Sequence, residues 1–576
     1  MKLGRIIVSV ALMTLLMSVP VFANINITRA DILGDDNLKN KVMSLQSEEK
    51  DYISSQAVYV AVDGVDSSGR GSIDKPYATV DYAMRKLASP STVIYVRGGV
   101  YDQKIAARQS GNENNYITVK AYPNEKPVFE VSSTGRIIDP NKNSYLVFDG
   151  LTLKAKENAV AGSTHGVEMV QGNHIIFRNL EIYNINVPDP TSSSVATHAF
   201  NLYGSNASEP ISNIVIENCY IHDMQTGWSE ALTVNGNSEY VNVFNCTIKD
   251  IGNIGVDFAG NFGACKNAEL DQARYCVARG NTVSGCISPN ARSYGLYNDG
   301  GRNNIFDRNI VYGCSGGIEI GSEEGGNSGK KNVTDITVMN NLVYNNLEVG
   351  VSVGGYSITS SAVGDVYNTR VYNNTIINNG SKELNISRTV ACDVRNNIIY
   401  TSGAKAVNVE FSQDYVKNLN VNNNVYYSTD GQDKIRFYTY GTSVKGISNW
   451  IDTDGVFADP KLDDNYMPMA DSPSVDFGDN SVDVGSLDLN GNKRVVNTVD
   501  AGCYEYVETQ ITAFKGDANG DSEVNNDDVT YILNYVVGNI SQISNQDNAD
   551  VNQDNKVTVR DASKIKKYLQ GKINNL

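Results

Sequence analysis

One pattern recurs through the middle of this chain: an asparagine, a short run rich in β-branched residues, then a turn. It reads Asn179-Leu-Glu-Ile, Asn218-Cys-Tyr-Ile, Asn245-Cys-Thr-Ile, Asn281-Thr-Val, Asn309-Ile-Val, Asn341-Leu-Val, Asn374-Thr-Ile-Ile, Asn397-Ile-Ile and Asn424-Val, in steps of 23 to 39 residues. Upstream of most copies a second short strand opens on a small residue and alternates with period two. These strands are Gly166-Val-Glu-Met, Ala199-Phe-Asn-Leu, Ala231-Leu-Thr-Val, Gly255-Val-Asp-Phe, Gly295-Leu-Tyr-Asn, Gly317-Ile-Glu-Ile and Gly350-Val-Ser-Val. A repeat of this length, made of short strands without amphipathic helices, predicts a solenoid. One coil cannot bury its own apolar face, but stacked coils share a core. Asparagine at a repeated turn position suits such a fold twice over. It tolerates left-handed backbone angles, and its side-chain amide can pair with the next coil.

Length and charge set the frame around the repeat. At 576 residues the chain is too long for one ordinary domain, and its 41% hydrophobic content allows a large core. A net charge of −17 argues against nucleic acid as a partner and suits an extracellular or cation-binding protein. Lys2 and Arg5 precede the apolar run Ile6 to Met17 and the small-residue site Val21-Phe22-Ala23, which reads as a secretory signal over residues 1–23. No stretch reaches the roughly 20 apolar residues that a membrane span needs. Export permits disulfides, but eight cysteines are too sparse for a disulfide scaffold. Cys219 with Cys246, and Cys286 with Cys314, take equivalent places in adjacent coils and read as stacked core thiols. Cys265 and Cys276 flank a longer insertion, where a disulfide is plausible.

The repeat resembles the right-handed parallel β-helix of pectate-lyase-like proteins. The opening segments Tyr59-Val-Ala-Val-Asp-Gly, Asp74-Lys-Pro-Tyr-Ala-Thr-Val, Ile94-Tyr-Val-Arg-Gly-Gly-Val-Tyr and Ala121-Tyr-Pro-Asn-Glu-Lys-Pro-Val look like the start of family 9 pectate lyases and related carbohydrate enzymes. The likeness covers about residues 57–505 and implies the fold; the reaction has to be argued from the site.

Within each coil the residue between two apolar ones should point outward. Stacked, these residues give a column: Glu168, Asn201, Thr233, Asp257, Tyr297, Glu319, Ser352 and Asn385. A second column runs Tyr203, Asn235, Ala259, Asp299, Gly321 and Gly354. With rungs about 4.8 Å apart, Asp257, Tyr297 and Glu319 fall on successive rungs, with Asp299 beside them and Glu230 one rung before Asp257. The insertion Asn261 to Tyr275 brings Asp271 and Arg274 near the same rungs, and Glu323 and Glu324 follow Glu319 in the next turn. Trp228, Tyr294, Tyr297 and Tyr356 are the aromatic candidates for stacking on sugar rings.

Two chemistries fit this set. A glycoside hydrolase needs two carboxylates, about 5–5.5 Å apart if retaining and about 6.5–9.5 Å if inverting. Asp257 with Glu319 suits the inverting spacing, and Asp299 with Glu319 the retaining one. A calcium-dependent lyase would instead hold the ion on Asp257, Asp271 and Asp299 and use Arg274 as base. Family 9 pectate lyases carry a run of aspartates on one strand and a lysine base. Here a lone Asp257 and the absence of an outward lysine column favour hydrolysis. A β-helix that binds carbohydrate without cleaving it is the rival of another class.

The C-terminus carries the most specific motif. Asp517, Asn519, Asp521, Asn525 and Asp528 occupy positions 1, 3, 5, 9 and 12 of a loop, and Asp550, Asn552, Asp554, Thr558 and Asp561 repeat the spacing. Position 7 (Glu523, Lys556) offers its backbone carbonyl. A hard cation needs six to eight oxygens, and this is the spacing of a calcium loop. Each loop leads into one amphipathic helix, expected over Val529–Val537 and Ala562–Leu569, with no sign of an entering helix before Gly516 or Ala549. The two loop-helix repeats resemble a type I dockerin. That resemblance implies two calcium ions and, as partner, the cohesin domain of a scaffoldin in a cellulosome. It also implies that positions 10 and 11, Asn526-Asp527 and Val559-Arg560, help choose the cohesin. Those pairs differ between the repeats, which argues against two equivalent binding orientations. Ser522 at position 6 is expected to weaken the first loop, whereas Asn555 in the second accepts left-handed geometry.

The expected architecture is a signal peptide (1–23), a lead-in (24–56), a β-helix catalytic domain (57–505), a linker (506–514) and a dockerin (515–576). The expected protein is secreted, cellulosome-attached and active on plant cell-wall polysaccharide.

Overall fold

The structure, a computed structural model, describes residues 57–576 apart from 157–161, 356–359, 403–406, 412–414, 431–434, 440–441, 446–451, 508–514, 522, 544–545 and 574. The expected leader and lead-in, Tyr356 and Ser522 therefore lie outside the described residues. The chain divides into two compact units, Met1–Tyr506 and Val507–Leu576. Among the described residues, no helix is long and apolar enough to cross a membrane.

The first unit is a parallel β-helix with three strand faces. Its named strands pair in parallel from coil to coil, apart from the terminal hairpin Ile435–Thr439 with Thr442–Lys445. One face is a 13-stranded sheet. The other two merge where the long strand Leu232–Phe244 bends from one to the next, its first half pairing with Val256–Phe258 and its second with Gln272–Arg274 and Val277–Arg279. Apolar side chains from all faces fill one continuous interior. Phe148 stacks on Phe177 at 5.4 Å and Phe258 on Phe306 at 5.3 Å between ring centroids. The small residues that open one set of strands lie where coils approach closely: a Cβ on Gly255 would sit 2.5 Å from the Gly295 carbonyl oxygen, and one on Gly317 2.4 Å from that of Gly350.

The two expected roles of asparagine are divided between adjacent positions. Asn179, Asn218, Asn245, Asn340, Asn373, Asn396 and Asn423 take the left-handed turn, with φ between 51° and 59°. The next residue points inward, and there the amides stack. Asn281, Asn309, Asn341, Asn374 and Asn397 each donate Nδ2 to the Oδ1 of the next asparagine at 2.8–3.0 Å, and Asn424 ends the column by donating to Asp452 Oδ2 at 2.7 Å. In the earlier coils Leu180, Cys219 and Cys246 hold this inward place, so the sequence repeat was aligned one residue out of step there. A shorter column runs Asn346 to Asn379 and ends on Glu383. All eight cysteines are buried and free, including Cys265 and Cys276, so the disulfide weighed for that pair is not formed.

A helix absent from the expected solenoid, Val80–Leu87, packs Val80, Ala83 and Met84 onto the strands of the first coil; Thr79 caps it by accepting the Tyr82 N–H. Toward the far end, residues 459–506 fold back along the coils. There Asn340 donates to the Val484 carbonyl, Asn373 to that of Asp500, and Arg494 is fully buried beside Glu505.

The second unit packs two helices, Asn526–Val536 and Val559–Leu569, around Ala518, Ile532, Val551, Ala562 and Ile565. Both begin three residues earlier than their hydrophobic pattern suggests. Asn525 and Thr558 act as N-caps, and Asp528 and Asp561 close capping boxes three residues on. A single helical turn, Gln546–Ala549, precedes the second loop, where none was expected.

Candidate active site and calcium loops

Strand register stacks the first outward column as the alternation implied. Glu168 pairs with Asn201, Asn201 with Thr233, Thr233 with Asp257, Asp257 with Tyr297, Tyr297 with Glu319, Glu319 with Ser352 and Ser352 with Asn385. Their strand neighbours Val256, Phe258, Leu296, Ile318 and Ile320 belong to the core, so this column faces out. The second column breaks at Ala259, which bridges to Gly300 rather than Asp299, because the chain leaves the sheet there for the insertion Asn261 to Tyr275.

Glu230, Asp257, Asp299 and Glu319 come together, and Glu323 joins them. The Asp299 N–H donates to Asp257 Oδ1 at 3.1 Å, the Glu323 N–H to Asp299 Oδ1 at 2.8 Å, and the Tyr297 hydroxyl to Glu323 Oε1 at 3.0 Å. Asp257, Asp299 and Glu319 are buried, and Glu319 Oε1 has no hydrogen-bond partner. Burial, then the charges of Glu230 and Asp299, push the Asp257 carboxyl well up. Burial and Glu323 do the same to Asp299. Burial, reinforced by Glu323, brings Glu319 to about 8. Glu230 goes the other way. Burial would raise it, but the His198 imidazole and the Thr233 hydroxyl, 2.6 Å away, outweigh that and hold it below the usual carboxylate range. One face thus carries carboxyl groups whose surroundings push them apart, the arrangement that separates an acid from a base.

The remaining candidates are placed elsewhere. Asp271 accepts the backbone N–H groups of Gly263 (2.6 Å) and Cys265 (2.8 Å) and shapes the insertion. Arg274 lies on the adjacent face, in register with Glu239 and ion-paired to it at 2.7 Å. Tyr294 and Tyr297 bury their rings, while Trp228 is exposed and anchored by an Nε1 hydrogen bond to the Thr191 carbonyl. The sequence sets Glu323 in the turn after Glu319 and His198 at a turn bordering the same face, but assigns neither of them a partner. Glu323 follows its strand in a loop that no period-two alternation reaches. His198 stands three residues before the outward Asn201, at a strand start that reads as a turn.

In the C-terminal unit, carboxylate oxygens of Asp517, Asp521 and Asp528 lie within 4.8 Å of one another, a convergence that fits a hard cation. Among the described residues these are the one such group of three or more His, Cys, Asp or Glu side chains. Asp528 is buried and takes the Ala518, Asn519 and Asn525 N–H groups, which leaves the loop folded around the ligand positions. The second loop repeats the pattern: Asp550 accepts from Asp554 and Asn555, Asp561 from Asn552 and Thr558, and Asn555 takes φ 62°. Asn526, Asp527, Val559 and Arg560 are exposed on the first turns of the two helices, and Asn526 accepts a hydrogen bond from Lys566 at 2.8 Å.

The molecule is therefore a parallel β-helix with a carboxylate-lined face, followed by a paired calcium-loop unit. The family model described as "Dockerin type I domain" matches residues 515–570, so the chain carries a type I dockerin at its C-terminal end, and domains of that type bind calcium. The chain is 28% identical over 433 residues to the uncharacterized protein YwoF of Bacillus subtilis (strain 168), covering 71% of this chain and 88% of that protein. Among solved structures it is similar to XylC in complex with xylose (TM-score 0.48, 12% identity, 78% of this chain and 98% of that one). It is also similar to the GH136 lacto-N-biosidase from Eubacterium ramulus (TM-score 0.43, 13% identity, 74% and 70%) and to pectate lyase Pel9A (TM-score 0.39, 13% identity, 78% and 96%). The β-helix assignment rests on the strand register itself.

Proposed function

We propose that this is a secreted, cellulosome-attached enzyme that hydrolyses glycosidic bonds in plant cell-wall polysaccharide. The observation that carries the reading is the outward cluster of Glu230, Asp257, Asp299, Glu319 and Glu323, in which Glu319 is held protonated near neutral pH and Glu230 ionised. Glu319 is the general acid that protonates the leaving oxygen; the opposing negative charge sits on Glu230. The dockerin supports the cellular setting: its exposed Asn526, Asp527, Val559 and Arg560 are the residues offered to the cohesin of a scaffoldin, and its two loops are the calcium sites. The lyase alternative gains nothing from Arg274, which lies on the adjacent face in an ion pair with Glu239.

The test is a digest of pectins, arabinans and xylans with and without EDTA, reading reducing ends together with the ultraviolet absorbance of an unsaturated product. The expected result is new reducing ends without that absorbance, abolished in Asp257→Asn and Glu319→Gln proteins that keep their fold and cohesin binding. Absorbance removed by EDTA would make it a lyase, and silence in both channels would leave a carbohydrate-binding β-helix.

A further inference from the structure

Glu230 has an unusual neighbour. His198 Nε2 lies 3.5 Å from Glu230 Oε2, on the side away from Asp257. The other ring nitrogen, His198 Nδ1, lies 3.1 Å from His165 Nδ1, and the two histidines are in register on adjacent coils. Beyond them, His165 Nε2 faces Glu168 Oε1 at 3.9 Å, and Glu168 is tied to Arg136 at 2.7 Å and to Asn201 at 3.3 Å. Both histidines are buried, at 7% exposure each.

Two imidazole nitrogens at hydrogen-bond distance impose a rule. Two N–H groups would repel, and so would two bare lone pairs; one ring must donate and the other accept. One proton therefore sits between the Nδ1 atoms in any stable state. If the pair carries one proton beyond its neutral complement, each Nε2 becomes a donor, one toward Glu168 and one toward Glu230. If it does not, only the ring that accepts at Nδ1 keeps an Nε2 proton, so one carboxylate is served, and serving the other requires the Nε2 proton to change rings together with the shared one. We propose that His165 and His198 share a single proton between their Nδ1 atoms and act as one positioning unit that fixes Glu230 as the ionised carboxylate of the cluster. Of the other groups around Glu230, the carboxyls of Asp257, Asp299 and Glu323 oppose its charge, and the Thr233 hydroxyl supports it with one hydrogen bond. Burial, with His198 and Arg136 beside it, brings His165 down to about 3, so the unit does not carry two positive charges near neutral pH. The catalytic use of this unit rests on the hydrolase reading; the coupling itself does not.

The chain has four histidines, which makes the test direct. The full-length protein, labelled with nitrogen-15 histidine, is titrated by NMR as wild type, Glu230→Gln and His165→Phe. His174, bonded to Asn173, and His222, beside Asp223, serve as internal references. In the wild type the His165 and His198 signals are expected to titrate together. In Glu230→Gln, His198 should lose its proton at a pH lower by about one unit or more, a tenfold weaker hold, while the references stay put. In His165→Phe, His198 should titrate alone in a single step. An unchanged His198 midpoint in Glu230→Gln, or independent wild-type titrations, would overturn the proposal. If His165→Phe does not fold, the Glu230→Gln arm decides. On a polysaccharide that is turned over, His198→Gln should lower kcat with little change in KM and move the acid limb of the pH profile upward. If no polysaccharide is turned over, the enzyme reading fails while the NMR result still decides the coupling.

Discussion

Glu319 is a carboxyl with one oxygen buried and unbonded, which suits a group that spends neutral pH protonated. The direction of its effect on rate follows. A general acid must carry its proton, so turnover should hold through neutrality and fall as pH rises through about 8, and a pH–rate profile reads that alkaline limb. The effect on folding has the same sign. A carboxyl raised in the folded state binds its proton more tightly there than in the unfolded chain, so its contribution to stability shrinks as pH climbs from the ordinary carboxylate range toward about 8. Sequence alternation was enough to place Glu319, Asp257 and Asp299, because a strand of period two sends every second side chain to the same face. It could not place Asp271 or Arg274. Those two lie within the 15-residue insertion Asn261 to Tyr275, whose path depends on backbone hydrogen bonds from Gly263 and Cys265 that have no periodic signature.

At the scale of the element, the interior amide column is the clearest case of a side chain doing the work of a strand. Asn341 donates to Asn374 and accepts from both the Asn309 side chain and its backbone N–H, all with zero exposure. Asn341→Ala removes one amide and orphans buried donors on the coil before it, so the expected loss is about 2–4 kcal/mol, on the basis of about 1–3 kcal/mol for each unsatisfied buried group. Thermal melting checks this, with an exposed asparagine such as Asn490 as the neutral comparison. The repeat in the sequence revealed that asparagine mattered but merged two adjacent positions, since both carry the same residue in the later coils. Where Leu180, Cys219 and Cys246 replace the inner asparagine, the chain does distinguish the left-handed turn from the column beside it. The helix starts of the dockerin were displaced for a similar reason: Asp528 and Asp561 were read as loop ligands, and their second role, as the third residue of a capped helix, lies in the backbone.

At the scale of the whole molecule, two units with different sources of stability should come apart under different conditions. The β-helix rests on one long apolar core, whereas the dockerin is small and its loops gather acidic oxygens that repel one another without a cation. Calorimetry should show two transitions, and EDTA should lower the smaller one while leaving the larger in place; a single transition insensitive to chelation would count against calcium in these loops. The fold class was legible because a solenoid writes its period into the chain. The end helix Val80–Leu87 was not, because a cap occurs once and leaves no period. The amide column has one more consequence. An amide both gives and takes, so a stack of amides is a living polymer, ready to add another link. A carboxylate only takes. The longer column begins on the backbone N–H of Cys246 and stops at Asp452, and the shorter one stops at Glu383. Each acid acts as a chain terminator, so the length of either column is set by where the sequence places an acceptor with nothing to pass on.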